Sequence, residues 1–95
     1  MAKGYWIVRI NITDADAYKA YTSANGAVFE QFGARFVVRG GDAETRSGPE
    51  HQRHVVLEFD SYAQAKACHD SDAYQEIAKV RDTGADVDMV IVEGV

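Results

Sequence analysis

The residues best suited to chemistry in this chain lie on strand-like segments, where they alternate with apolar residues. They are Arg9, Arg39, His54 and Glu58. Because side chains alternate between the two faces of a strand, the pattern predicts that all four point to one face of a sheet. Guanidinium groups bind carboxylates and enolates, and a carboxylate or an imidazole can move a proton. The set therefore fits a binding site for an acidic or enolic small molecule.

The same residues also fit a purely structural role. Arg39 and Glu58 would then form an ion pair across neighbouring strands or across a dimer, which would fix strand register and association. Structural ion-pair networks often imitate active sites, so the pair alone does not distinguish the two interpretations.

Three tyrosines lie on the helices that we expect to cover the sheet, namely Tyr21, Tyr62 and Tyr74. Such tyrosines are usually core residues whose hydroxyl reaches a backbone or solvent partner, but their hydroxyls can also line a pocket. We predict a cavity walled by Tyr21, Arg39, Glu58 and Tyr74, in which a small molecule binds or reacts without a cofactor.

Metal and thiol chemistry are poorly supported. His51 and His54 are three residues apart, which would place them on opposite faces of a strand, where they cannot share an ion. Cys68 and His69 are neighbours on a predicted helix and point about 100° apart, a poor geometry for a nucleophile and its base. We expect no metal, haem, flavin or other cofactor.

Four segments carry a strand pattern: residues 5–12, 35–39, 54–59 and 87–92. The alternation places Trp6, Val8 and Ile10, then Phe36 and Val38, and then Val55, Leu57 and Phe59 on a dry face. The other face mixes the charged set with Ile7, Val37 and Val56. The last strand is apolar on both faces, which is typical of a strand covered on both sides.

Helices are expected between these strands. Thr13 and Asp14 offer N-cap chemistry for a long helix whose dry stripe is Ala17, Tyr21, Ala24, Val28 and Phe32. Asn25-Gly26 predicts a kink or a short break in that helix, and Gly33 its end. Ser61 and Gln64 form a capping box for a short helix, and residues 70–72 cap another that Gly84 ends.

This order of elements predicts an α+β fold of the ferredoxin-like type. Two right-handed crossovers interleave in βαββαβ order to give a four-stranded antiparallel sheet with the helices on one face. The uncovered face carries too much Ile and Val to lie in water, so we expect a homodimer that pairs two sheets face to face. Residues 1–95 are expected to form one domain.

Four segments carry a family resemblance: residues 4–7, residues 32–41 with the sequence FGARFVVRGG, residues 55–59 and residues 71–75. They resemble the domain-of-unknown-function family 1330, a member of the dimeric α/β-barrel superfamily. The resemblance covers residues 5–94 and implies the ferredoxin-like dimeric barrel. The sequence departs from the family at Cys68-His69 and at Asp72-Ala73. The family implies no particular reaction, because its superfamily includes enzymes and plain binding modules.

Composition narrows the classes of function. The net charge of −5 and the scattered basic residues argue against nucleic acid or an anionic membrane as partner. A single cysteine and the lack of a recognisable signal peptide favour the cytoplasm. We therefore expect an uncharacterised cytoplasmic dimer with a small-molecule site. The alternative is a structural or regulatory dimer module without a ligand of its own.

Overall fold

The computed structural model describes residues 2–95. Within this range the chain forms β1 (Gly4–Ile12), α1 (Ala15–Gln31), β2 (Arg35–Arg39), β3 (Arg53–Phe59), α2 (Tyr62–Asp70), α3 (Asp72–Gly84) and β4 (Ala85–Glu93). The strands pair antiparallel in the order β2-β3-β1-β4. This is the ferredoxin-like α+β arrangement, and the predicted fold class is confirmed. The second crossover holds two helices, α2 and α3, joined at Ser71.

Short polar side chains start each helix. Asp14 accepts hydrogen bonds from the backbone N–H groups of Asp16 and Ala17 at the start of α1. Ser61 and Ser71 accept the corresponding bonds at the starts of α2 and α3. The capping box at Ser61 is only half formed, because the Gln64 side chain donates instead to the Phe32 carbonyl at 3.0 Å. That bond ties α2 to the end of α1.

The first helix continues through Asn25-Gly26, so the predicted break does not occur. Its buried face is turned by about one residue from the predicted stripe and consists of Tyr18, Tyr21, Asn25, Val28 and Phe29. Ala24 is exposed. Asn25 is 6% exposed and lies close to the Tyr21 hydroxyl, whose pKa it lowers against the larger effect of desolvation. A polar neighbour in the core thus offsets part of the cost of burying this amide.

The core lies between the helices and the facing side of the sheet. Trp6, the third residue of β1, is 1% exposed, and its indole N–H donates to the Ala65 carbonyl at 2.9 Å. Its ring meets Phe29 of α1 and Tyr74 of α3 edge-on, with centroid separations of 5.5 and 4.8 Å. These contacts join both crossovers to the same strand.

A β-bulge in β2 changes which face its last residues occupy. Phe36 pairs with Leu57, but the next β3 position, Val56, pairs with Val38. Two steps along β2 therefore match one step along β3, and the alternation of side chains shifts by one residue. Arg39 consequently pairs with Val55, a buried residue on the helix side.

This shift corrects two expectations. Arg39 lies on the face that the helices cover and not on the open face. Val38, expected on the dry side, pairs with Val56 on the open face and is 41% exposed. The strict alternation used for the prediction fails because a bulge inserts one residue without interrupting the strand pattern.

The segment between β2 and β3 packs against the second half of β1 and the first half of β4. His51 Nε2 is 2.9 Å from the Asp88 carboxylate, and Arg9 donates to the Pro49 carbonyl at 3.0 Å. Gln52 exchanges two 2.9 Å bonds with β1, one from the Ile12 N–H and one to the Asn11 side chain. We call residues 40–52 the strap. Across residues 2–95, every helix is too short or too polar to cross a membrane.

A candidate ligand cavity between the helices and the sheet

A cavity of about 360 Å³ opens between the helix side of the sheet and helices α1 and α3. Its apolar walls come from β1, β2, β3 and α1 and include Trp6, Val8, Ile10, Phe29, Phe36, Val55 and Leu57. Cavities of this size and composition are typical of small-molecule sites when a few polar groups converge on them.

Tyr21, Tyr74 and Arg81 form a chain of hydrogen bonds in the cavity wall. The two phenol oxygens are 2.9 Å apart, and Arg81 Nη1 donates to the Tyr74 oxygen at 2.8 Å. Arg81 is held in turn by Asp82, at 3.0 Å from Nη2. The three side chains come from α1 and α3, which pack side by side, so their arrangement follows from the packing of the two crossovers.

Burial raises the pKa of both phenols. Desolvation raises the pKa of Tyr21 above its ordinary value of 10, and the neighbouring Tyr74 raises it further. Desolvation likewise raises the pKa of Tyr74, although the Tyr21 hydrogen bond and the Arg81 charge act against it. At physiological pH the two hydroxyls therefore act as neutral hydrogen-bonding groups and not as bases.

Arg39 and Arg53 line the same cavity near the end of β2. The Arg39 guanidinium lies over the Phe36 ring, 4.2 Å from its centroid, and Phe36 packs edge-on against Phe29. Arg53 pairs with Ile10 and so faces the helices. Among the residues in the described range that line the cavity, three are arginines and none is a carboxylate.

The structure places Tyr21, Arg39 and Tyr74 in the lining of one cavity and separates them from His54 and Glu58. His54 pairs with Arg9 and Glu58 pairs with Tyr5, both on the open face of the sheet. Glu58 therefore neither walls the cavity nor pairs with Arg39. The reason is the bulge, which moves Arg39 to the opposite side of the sheet from Glu58.

The ion pair of Glu58 is made with Arg35, at 3.2 Å. Tyr5 also donates to Glu58, at 2.8 Å. The Tyr5 hydrogen bond, followed by the Arg35 hydrogen bond, lowers the pKa of Glu58 from its ordinary value of 4.5, against the effect of desolvation. This trio lies at one end of the open face and resembles the structural cross-strand pair that the sequence suggested, with a different arginine.

Sequence reasoning missed Arg53, Arg81 and Asn25 as cavity residues. The sequence did carry a signal for Arg53. It lies two residues before Val55 on β3 and so shares a face with the buried residues Val55, Leu57 and Phe59. Arg81 follows Tyr74 by seven residues, two helical turns, and so shares its face. Asn25 gave no signal of its own, because an Asn-Gly pair more often marks a turn than a helix interior.

The fold and the cavity define a ferredoxin-like α+β protein with an internal cavity that faces its helices. The chain belongs to the family described as Domain of unknown function (DUF1330), whose sequence profile matches residues 3–95. The chain has no significant match among curated proteins.

Solved structures share this fold. A protein of unknown function from Rhodopseudomonas palustris is 24% identical, with a TM-score of 0.79 over 99% of this chain and 83% of that one. SnoaB, a cofactor-independent oxygenase from Streptomyces nogalater, is 8% identical, with a TM-score of 0.63 over 97% and 92%. A dimeric ferredoxin-like protein of unknown function from Bacteroides fragilis is 13% identical, with a TM-score of 0.62 over 96% and 95%. At these identities the likeness establishes the fold alone.

Proposed function

We propose that this protein binds a small, mostly apolar molecule with an acidic or enolic group in the cavity between its helices and its sheet. The observation that carries the proposal is the composition of the cavity wall. Aromatic and aliphatic side chains surround about 360 Å³, and the polar side chains in the lining are three tyrosines, one threonine, one asparagine and three arginines. An apolar enclosure with positive charge at its edge suits an organic anion.

Binding is better supported than proton-transfer catalysis. A general base needs a pKa near the working pH, and the phenols of Tyr21 and Tyr74 are shifted away from that range. Glu58 and His54, which the sequence suggested as proton carriers, lie across the sheet from the cavity. We therefore assign them no role in this site.

A catalytic role remains the second candidate, in a restricted form. Guanidinium groups stabilise an enolate, so a substrate acidic enough to lose its proton to water can be held in the cavity as the enolate. SnoaB, which shares the fold, is described as a cofactor-independent oxygenase. In this catalytic alternative, the arginines hold the anionic form of a substrate that reacts without a cofactor.

We also propose that the open face of the sheet pairs with a second copy of the chain. Its central row consists of Val38, Val56, Ile7 and Val90, joined by strand register. Ile7, Val38 and Val90 are 40%, 41% and 52% exposed. Charges of both signs flank the row, so two copies can meet without net repulsion. The similar protein from Bacteroides fragilis is described as dimeric.

Ligand binding can be followed through Trp6, the single tryptophan of the chain, which lies in the cavity wall. We expect at least one of benzoate, phenylacetate and the enolisable acid phenylpyruvate to change Trp6 fluorescence saturably. Tyr74→Phe should weaken the binding of phenylpyruvate, whose keto oxygen can accept from this phenol, about 3- to 10-fold, the effect of one hydrogen bond. Tyr62→Phe is the matched control, because Tyr62 lies outside the cavity and stacks with Lys66.

The absence of any saturable response, with no shift of the melting temperature by the same acids, would contradict the proposal. That result would favour the alternative, a structural or regulatory module without a ligand. Equal losses in Tyr74→Phe and Tyr62→Phe would place the binding outside this cavity.

A further inference from the structure

We infer that Arg39 and Arg53 together form a clamp for the oxyanion head of the ligand, a carboxylate or a phosphate, while the apolar body lies in the cavity. This inference rests on the proposed function and names the class of ligand at that site. It starts from the β2 bulge, which turns Arg39 toward the helices.

The strand register places the two arginines beside each other. Arg39 pairs with Val55, and Arg53 precedes Val55 by two residues, so both side chains occupy the same face of adjacent strands. Diagonal neighbours on one face of an antiparallel pair are within reach of each other when the side chains are long. Two positive charges on neighbouring strand positions repel each other, and an anion bound between them would remove the repulsion.

Neither guanidinium is neutralised within the described chain. Across residues 2–95, the carboxylates that form ion pairs do so with Arg35, Arg46, Arg81, Lys79 or histidines, and none is within ion-pair distance of Arg39 or Arg53. Arg53 Nε is buried and has no hydrogen-bond partner in that range. A buried N–H donor without an acceptor costs free energy, and the structure leaves this cost at Arg53 uncompensated within the described range.

The backbone beside Arg53 is shaped to leave room for its guanidinium. Gly40 has a φ of +67°, and a Cβ at this position would overlap the Arg53 Nη1 and Cζ atoms. Arg39 is fixed on its other side by the Phe36 ring, a contact that leaves its N–H donors free. Both arginines are thus held in place by groups that do not consume their charge.

The apolar lining of the cavity determines the chemical class of the rest of the ligand. Phe36, Phe29 and Leu57 continue from Arg39 into the cavity, and the Tyr21-Tyr74-Arg81 chain lies in the same wall. An aryl or alkyl acid would place its oxyanion at the clamp and its body among these side chains. A ligand with a hydroxyl or carbonyl group could also bond to the two phenols.

The experiment compares benzoate, phenyl phosphate and benzamide, which share a ring and differ in charge, by calorimetry and Trp6 fluorescence. We expect the wild-type protein to bind at least one of the two anions more than about 10-fold tighter than benzamide. The preference should fall to about 2-fold or less in Arg39→Met and in Arg53→Met. Arg46→Met, which removes the same charge from an exposed site on the strap, should keep the full preference.

The outcomes separate this inference from the function on which it rests. If wild-type protein binds none of the three probes, the proposed function fails and the clamp fails with it. If it binds benzamide as tightly as the anions, or if Arg39→Met keeps the charge preference, the cavity binds ligands but the clamp is overturned. Arg39 is exposed, so this variant stays informative even if Arg53→Met does not fold. Tighter binding of benzoate than of phenyl phosphate supports the clamp as a carboxylate site, and the reverse supports it as a phosphate-ester site.

Discussion

Glu58 is the carboxylate with the most defined surroundings on the open face. Its two oxygens are used separately, one by the Tyr5 hydroxyl at 2.8 Å and the other by Arg35 Nε at 3.2 Å. Both bonds favour the ionised carboxylate and so lower the pKa of Glu58. Because the pKa in the folded state lies below the value in the unfolded chain, Glu58 stabilises the fold above the unfolded value, near 4.5. That contribution is lost as the pH falls through the folded value.

Tyr5→Phe should therefore raise the pKa of Glu58 toward 4.5 and make the free energy of unfolding less dependent on pH below that value. The carboxyl carbon of Glu58, followed by NMR during an acid titration, reports the pKa directly. Tyr62→Phe is the control and should leave it unchanged. An unaltered Glu58 titration in Tyr5→Phe would mean that Arg35 alone determines the shift.

At the scale of the elements, the bulge in β2 and the strap after it determine which residues reach the cavity. The bulge turns Arg39 inward, and Gly40, the first residue of the strap, donates its N–H to the His54 carbonyl at 2.9 Å. Gly40 also leaves the space that the Arg53 guanidinium occupies. A side chain at Gly40 would be opposed both by the left-handed backbone and by this contact.

Gly40→Ala is expected to lower the free energy of unfolding by about 1–2 kcal/mol, the cost of a Cβ in left-handed backbone, and to displace Arg53. Urea denaturation measures the first effect, and loss of the preference for anions measures the second. Gly41→Ala is the matched control, since a Cβ there has no neighbour within 4 Å and its φ lies outside the left-handed range. Equal stabilities of the two variants would contradict the described conformation of Gly40.

The elements themselves could be predicted from the sequence because their signals are local. Alternation of apolar residues in residues 5–12 and 54–59 and the caps at Asp14, Ser61 and Ser71 all act within a few residues. The bulge could not be predicted in this way. Residues 36–39, FVVR, keep a strand composition, and the extra residue becomes visible only in the pairing with β3.

At the scale of the whole molecule, the two faces of the sheet have different roles. The helix side holds the core and the cavity, and the open side carries an apolar row flanked by charges. The candidate site was predicted only in part for this reason. Helix periodicity correctly places Tyr21 and Tyr74 at the cavity. Strand alternation places Arg39 on the same face as Glu58, but the one inserted residue of the bulge moves Arg39 to the opposite face.

The open face should make the protein a dimer at micromolar concentration, as measured by light scattering. Val90→Lys places an ammonium group in the apolar row and should raise the dimer dissociation constant by more than about 100-fold, because an unpaired buried charge costs several kcal/mol. Val80→Lys is the control, since Val80 is 39% exposed on α3, away from that row. A monomer mass for the wild-type protein that does not change with concentration would contradict the proposed dimer.

The central claim is that the cavity between the helices and the sheet is the ligand site. Intermolecular nuclear Overhauser effects between benzoate and isotope-labelled protein test it most directly, because they arise only between protons that lie close together and so locate the ring without a functional assay. We expect contacts from the benzoate ring to the side chains of Trp6, Phe29 and Tyr74, which line the cavity. Contacts confined to the open face, at Ile7 and Val90, or to the strap would contradict the claim.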